Sequence, residues 1–221
     1  MITQPEGYLS SIWKSTKKHG ILLIVDEVAT GFGRTGSMFA CEKEHVQPDF
    51  MCIAKGITGG YLPLAATLTT DEVFNGFLGR FDEFKTFFHG HTYTGNPLAC
   101  AVAIENIELF RKEDTIKRLK KKISLLHKEL QRFYDLPHVG EVRQEGFVVG
   151  IELVKNRRTK SIYPPEEKIG HRVILEACKR GVIIRPLGDV IVLMPPLAIE
   201  ETTLKELINV TYESIEIVTG R

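Results

Sequence analysis

The 221 residues contain only four cysteines, Cys41, Cys52, Cys100 and Cys178, and none forms a C-x-x-C pair. Neither a zinc site nor a disulfide framework is indicated, and reduced, mostly buried thiols in a cytoplasmic protein are the expected state. An excess of charge is also missing, since 29 basic residues face 28 acidic ones. Bulk electrostatics therefore gives no reason to expect nucleic acid or an anionic membrane as partner. No apolar run reaches membrane-spanning length, and Met1 is followed by Ile-Thr-Gln-Pro-Glu-Gly instead of the basic and apolar regions of an export signal. Internal repeats and low-complexity tracts are absent too. What remains is a globular chain, 43% hydrophobic, able to bury a core in one large domain or two smaller ones, with a small molecule as the default ligand.

Helical spacing at Tyr8, Leu9, Ile12 and Trp13 stops at Gly20, just before Ile21-Leu22-Leu23-Ile24-Val25. Such an unbroken aliphatic run predicts a parallel strand covered on both faces, and Phe50-Met51-Cys52-Ile53-Ala54 predicts a second. A third apolar stretch, Leu64 to Thr69, follows Gly59-Gly60. The class is α/β. Beyond Gly95-Asn96-Pro97, a small-residue helix is expected from Leu98 to Phe110. The stripe Leu119, Ile123, Leu126, Leu130 and Phe133 marks a long amphipathic helix. After Pro137 the pattern changes to short strands at 147–151, 182–184 and 190–193, with helices near 166–180 and 200–218. We place a domain boundary within 111–137. The chain opens directly on a helix–strand pair, without the earlier β–α units of a large parallel sheet, so Met1 reads as an internal methionine of a longer protein.

Asp26 and Glu27 end the first predicted strand, at the sheet edge where α/β proteins bind ligands. Asp26 in a buried setting would need a cationic partner such as a ring nitrogen; a capping carboxylate is the plainer alternative. Lys55 follows the second strand in the same way. Taken together, an acid and an amine could flank one cofactor, and a desolvated crevice would favour the free amine that attacks a carbonyl. Pyridoxal phosphate chemistry needs this pair, the lysine to hold the cofactor and the carboxylate to keep the pyridine nitrogen protonated. Val28 offers an apolar contact to a flat ring. Gly31-Phe32-Gly33-Arg34-Thr35-Gly36 satisfies G-x-G-x-x-G, but the glycines do not directly open a helix, so dinucleotide binding is disfavoured. His89 to Pro97 gathers hydroxyls, imidazoles and small residues ahead of a helix, a composition suited to phosphate or simply to capping. His89 and His91 lack a third ligand nearby, so no metal is expected. Arg185, after Val182-Ile183-Ile184, could grip a carboxylate through two parallel hydrogen bonds or make a surface ion pair.

Three segments in this order resemble the class III, or omega, aminotransferases of fold type I: Ile24 to Gly36, Pro48-Asp49-Phe50 leading to Ala54-Lys55-Gly56, and Thr92 to Pro97. The runs Lys55 to Thr70, Gly95 to Ala101, Ile184 to Gly188 and Leu193 to Pro196 are most similar to the branch that aminates 8-amino-7-oxononanoate in biotin synthesis. The resemblance implies part of a large, mostly parallel-sheet domain over 1–115 and a linking helix with an α+β small domain over 116–221. It implies that Lys55 carries pyridoxal 5'-phosphate and moves the substrate proton, that Asp26 pairs with the pyridinium, and that Val28 packs on the ring. It assigns the phosphate to Thr92 with the backbone near His91, in a homodimer whose site lies at the interface. Gly90 would border the substrate and Arg185 would hold the keto acid's carboxylate. His91 stands where members that use S-adenosylmethionine carry proline, which leaves S-adenosylmethionine and lysine open as amino donor. The family's N-terminal half, with its Gly-Ser phosphate loop and the aromatic residue that stacks on the cofactor, has no counterpart here.

Overall fold

A computed structural model describes residues 1–220. The chain divides into two compact units, one of Pro5–Ile116 and the other of Met1–Gln4 with the chain from Lys117 on.

In the first unit, α1 (Tyr8–Lys18) precedes β1 (Ile24–Asp26), β2 (Phe50–Ile53) and β3 (Ala66–Thr69). β1 and β2 are parallel, in the register Ile24↔Phe50 and Asp26↔Cys52, while β3 runs antiparallel to β2 with Cys52 opposite Thr67. The sheet is therefore mixed, in the order β1-β2-β3. The apolar run around β1 is not buried on both faces as its composition predicts. Leu23 and Val25 pack with Cys41 and Val46 under Leu9, Ile12 and Trp13 of α1, whereas Ile24 on the opposite face is 63% exposed. No described element of this unit covers that side of β1. A short α2 (Asp71–Asn75), capped by the Thr70 hydroxyl, leads to the exposed stretch before α3 (Pro97–Lys112). Asn96 caps α3 by accepting from the N–H groups of Leu98 at 3.0 Å and Ala99 at 3.4 Å, and Pro97 sits at the first helical position, where its missing N–H costs nothing.

Asp49 fastens this unit together. Its carboxylate accepts from the Leu23 N–H at 2.8 Å and from Lys17 Nζ at 2.7 Å, and its carbonyl accepts from the Thr69 hydroxyl at 2.9 Å. One buried residue thus ties α1, the residue leading into β1, and β3. The Leu23 N–H first, and then Lys17, hold the Asp49 carboxyl below the ordinary carboxylate range. A depressed folded-state value contributes stability that is present above the unfolded value of about 3.9 and is lost as pH falls through the folded one. Denaturation at a series of pH values is expected to find Asp49→Asn less stable than the parent at neutral pH and equal to it in strong acid. A constant difference down to about pH 2 would refute the linkage.

In the second unit, α4 (Thr115–Leu130) runs into a 3₁₀ turn at Gln131–Asp135, followed by β4 (Val139–Glu145), β5 (Val148–Leu153), α5 (Ile169–Lys179), β6 (Arg185–Leu187), β7 (Val190–Leu193) and α6 (Glu201–Thr219). The four strands form an antiparallel sheet in the order β4-β5-β7-β6. Leu119, Leu126, Phe133, Ile151, Ile191 and Ile208 belong to its continuous core. The stripe from Leu119 to Phe133 is therefore a buried face, and each such side chain gains about 1.5–3 kcal/mol from leaving water. The strand expected at 182–184 is displaced. Those residues are unpaired coil, with Ile183 90% exposed, and the strand begins at Arg185. The two-residue turn Gly188-Asp189 fixes this register by setting Leu187 opposite Val190. β6 is an outer strand, which is why it can contain Pro186.

Burial of the thiols is narrower than expected. Cys41 is buried, Cys52 and Cys100 are half-buried and Cys178 is exposed, and all four are free. Among the described residues no helix is long and apolar enough to cross a membrane.

Candidate active site

Asp26 is the last residue of β1, in register with Cys52 of the parallel neighbour β2, and Lys55 lies three residues beyond Cys52. Both thus emerge at the same, carboxyl-terminal edge of the sheet. Both are exposed. The buried acid at this strand end is Glu27, 2% exposed, not Asp26. Glu27 accepts from the Cys41 N–H at 2.8 Å and from the Thr30 hydroxyl, and its own N–H donates to the Cys52 carbonyl at 2.9 Å. Burial, and then the Glu27 carboxylate, push the Cys41 thiol up to about 11, so it stays protonated and inert. Glu27 therefore serves the backbone of the loop, while Asp26 is left at the surface. One Asp26 oxygen accepts from the Val28 N–H at 2.9 Å, which fixes the carboxylate and leaves its second oxygen without a partner among the described residues.

The glycine-rich run after β1 opens no α-helix. Gly31 N–H closes a turn onto the Glu27 carbonyl at 2.9 Å, and a β-carbon at Gly31 would stand 2.8 Å from that same oxygen. Phe32, 4% exposed and at φ 55°, drives its ring inward, edge-on to Phe39 and Phe110. The ring lies directly against Gly56, where a β-carbon would stand 2.7 Å from Phe32 Cβ. The loop thus buttresses the peptide that follows Lys55 and does not cradle a pyrophosphate. Lys55 opens a 3₁₀ turn at Lys55–Thr58 with φ 44°, an uncommon left-handed conformation for a residue with a side chain. Among the described residues its amine has no carboxylate partner.

Gly90, His91 and Thr92 lie in the exposed stretch before α3. There the His91 N–H donates to the Thr94 hydroxyl at 3.0 Å, and the Tyr93 N–H donates to His91 Nδ1 at 3.1 Å. These bonds shape the loop and leave the Thr92 hydroxyl without a partner among the described residues. No hydrogen bond among those residues joins this loop to Asp26 or Lys55. Arg185 belongs to the second unit. It opens β6 opposite Val192 and borders a groove of about 530 Å³ whose walls include Ile184, Met194, Pro195 and Leu207. No group of side chains able to hold a metal ion occurs among the described residues. Reading the sequence residue by residue missed Phe32 as a buttress, Glu27 as a loop anchor and Asn106, which approaches the Lys55 turn from α3.

The model of the family described as Aminotransferase class-III matches residues 1–215. The adenosylmethionine-8-amino-7-oxononanoate aminotransferase of Nitratidesulfovibrio vulgaris is 55% identical over 219 residues, which are 99% of this chain and 40% of that protein. Its namesake in Aquifex aeolicus is 58% identical over 209 residues, 95% of this chain and 46% of that protein. The crystal structure of the Methanocaldococcus jannaschii enzyme of the same name has a TM-score of 0.96 at 51% identity, covering 98% of this chain and 50% of that one. Gamma aminobutyrate transaminase 2 of Solanum lycopersicum is more distant, 35% identical over 216 residues. The chain spans about half the length of the curated relatives it matches. A mixed sheet with helices followed by an antiparallel sheet with helices is consistent with the architecture of fold type I. By a match that takes in almost every residue, the chain belongs to the class-III aminotransferase family.

Proposed function

We propose that the protein carrying this chain is a pyridoxal 5'-phosphate enzyme that aminates 8-amino-7-oxononanoate to 7,8-diaminononanoate. The observation that carries the reading is the shared edge of Asp26 and Lys55, at the ends of adjacent parallel strands in a chain more than half identical to relatives bearing that activity in their names. The residues suit the cofactor chemically. Asp26 keeps an oxygen for a protonated ring nitrogen, Lys55 presents an amine without a counter-ion, and Thr92 presents a free hydroxyl for a phosphate.

When bound, pyridoxal phosphate supplies an electron sink for the carbon that exchanges its amino group. The carboxylate of Asp26, fixed by the Val28 N–H, holds the proton on the ring nitrogen. Val28 would offer an apolar contact to the ring. Lys55 would hold the cofactor through its Nζ, and the same amine would serve to take a proton from the substrate carbon and return it. Thr92 and the His91 backbone bind phosphate oxygens in a homodimer with a shared site, and Gly90 leaves room beside the substrate. Arg185 takes the keto acid's carboxylate, with the apolar groove beside it suited to an alkyl chain. Residues 1–115 form the C-terminal part of the large domain and 116–221 the linking helix and small domain.

For the donor we propose S-adenosylmethionine, with lysine as the rival because of His91. The test is product mass spectrometry on the protein carrying this chain, given pyridoxal phosphate, the keto acid and one donor at a time. 7,8-Diaminononanoate is expected with S-adenosylmethionine. Its formation with lysine alone would move the donor. No product from this keto acid, beside ready amination of the aldehyde related to 4-aminobutyrate, would overturn the substrate in favour of the omega-amino acid branch.

A further inference from the structure

We propose that Asn106 is a positioning residue for Lys55, holding the backbone turn that presents the amine; the inference rests on the reading of Lys55 as the cofactor lysine. Asn106 lies in the interior of α3, where its type is a poor helix former and a leucine or alanine would serve the helix better. Its side chain leaves the helix altogether. The one amide group Nδ2 donates to the carbonyls of Gly56 at 2.8 Å and Ile57 at 3.1 Å, so both of its protons are spent on consecutive peptides of the turn that begins at Lys55. Its Oδ1 lies 3.2 Å from where a β-carbon of Gly59 would stand, so the glycine that ends the turn is packed against the same amide.

Phe32 also packs against Gly56, where a β-carbon would stand 2.7 Å from Phe32 Cβ. Gly56, the residue immediately after Lys55, is thus held both by a ring packed on its α-carbon and by an amide on its carbonyl, from distant parts of the chain. Lys55 needs that clamp, because at φ 44° it occupies a conformation that relaxes toward the ordinary regions when the turn is released. On relaxing, the side chain would leave the sheet edge it shares with Asp26. Asn106 touches neither cofactor nor substrate in this account, and acts only through the lysine backbone.

The test uses the protein carrying this chain and four forms of it: the parent, Asn106→Leu, Asn106→Asp, which keeps the side-chain shape without the donor, and Asn106→Gln, which keeps the amide. Each is incubated with limiting pyridoxal phosphate and reduced with borohydride, and the label on Lys55 relative to all other lysines is read by peptide mass spectrometry. Circular dichroism verifies that each form is folded. In the parent, Lys55 is expected to take most of the label. In the Leu and Asp forms the Lys55 share should fall about tenfold, the equivalent of about 1.4 kcal/mol from two lost hydrogen bonds. Label on the exposed Lys14 should not change, and Asn106→Gln should recover part of the Lys55 share. A folded Leu or Asp form labelled at Lys55 like the parent would overturn the role of Asn106 and leave the cofactor reading standing. A parent that labels Lys55 no better than its other lysines would instead overturn the cofactor reading itself. Should Asn106→Leu fail to fold, the isosteric Asp form decides.

Discussion

Lys55→Ala is expected to end covalent retention of pyridoxal phosphate and to slow amino transfer at least ~10³-fold, the usual scale for a lost acid–base group. On the function proposed above two roles disappear together, because the same amine would both hold the cofactor and carry the proton between the exchanging carbons. The position magnifies the loss. Lys55 begins its turn at a left-handed φ of 44°, and the next two carbonyls accept from Asn106, so its place at the strand edge is specific to this residue. Lys55→Arg should fare no better, since a guanidinium keeps its proton at any working pH and cannot attack a carbonyl. The measurement is the visible absorbance retained after desalting, together with the rate of diamine formation. Retention of both in Lys55→Ala would remove the lysine from the mechanism and the reading built on it.

Phe133→Ala should destabilise the second unit by about 3–5 kcal/mol, a large part of the ~5–15 kcal/mol that holds a typical domain. Phe133 is 0% exposed and lies edge-on to Tyr212 of α6, with ring centroids 5.3 Å apart at 81°. Truncation would leave a cavity at the junction of α4, β4 and α6 and remove the aromatic pair as well. Arg132, stacked over the outer part of the same Tyr212 ring at 4.9 Å, would lose the surface that orients its partner. The next residue is the natural control. Tyr134 is 43% exposed and its hydroxyl donates to the Val142 carbonyl at 3.2 Å, so Tyr134→Phe should cost only about 1 kcal/mol. Urea denaturation of the two variants measures the difference. Equal midpoints would mean that the core closes around the missing ring.

The elements that could be read in advance are those whose pattern is set by one dominant force. The Leu119 to Phe133 stripe had to be buried, and Asn96-Pro97 had to start a helix because both residues satisfy the needs of a helix N-terminus. The class III family was legible from the order of its motifs, and the α/β architecture from the alternation of aliphatic runs with helical spacing. β4 was missed because Glu141, Arg143 and Glu145 interrupt any apolar run, and its pairing with β5, with a shift between Val139 and Glu141, is tertiary. The misplaced strand at 182–184 had composition in its favour and the Gly188-Asp189 turn against it; pairing register decided the matter. At the site, residue type could pick out Asp26 and Lys55 as candidates. It could not reveal that Glu27 is the buried neighbour, or that an asparagine 50 residues beyond Gly56 reaches back to its carbonyl. Hydrogen bonds at that separation leave no periodic trace.

Pro186 has a consequence for how the molecule behaves in a crowded solution. Leu187 and Val190 flank a two-residue turn, so the alternation of an antiparallel ladder turns the backbone of Pro186 away from β7, toward the free border of the sheet. A strand from another molecule that approached this border would look there for a donor and meet a ring carbon. Strand addition is therefore disfavoured along the β6 border, one of the two edges of this sheet, by a single residue that has no N–H to offer.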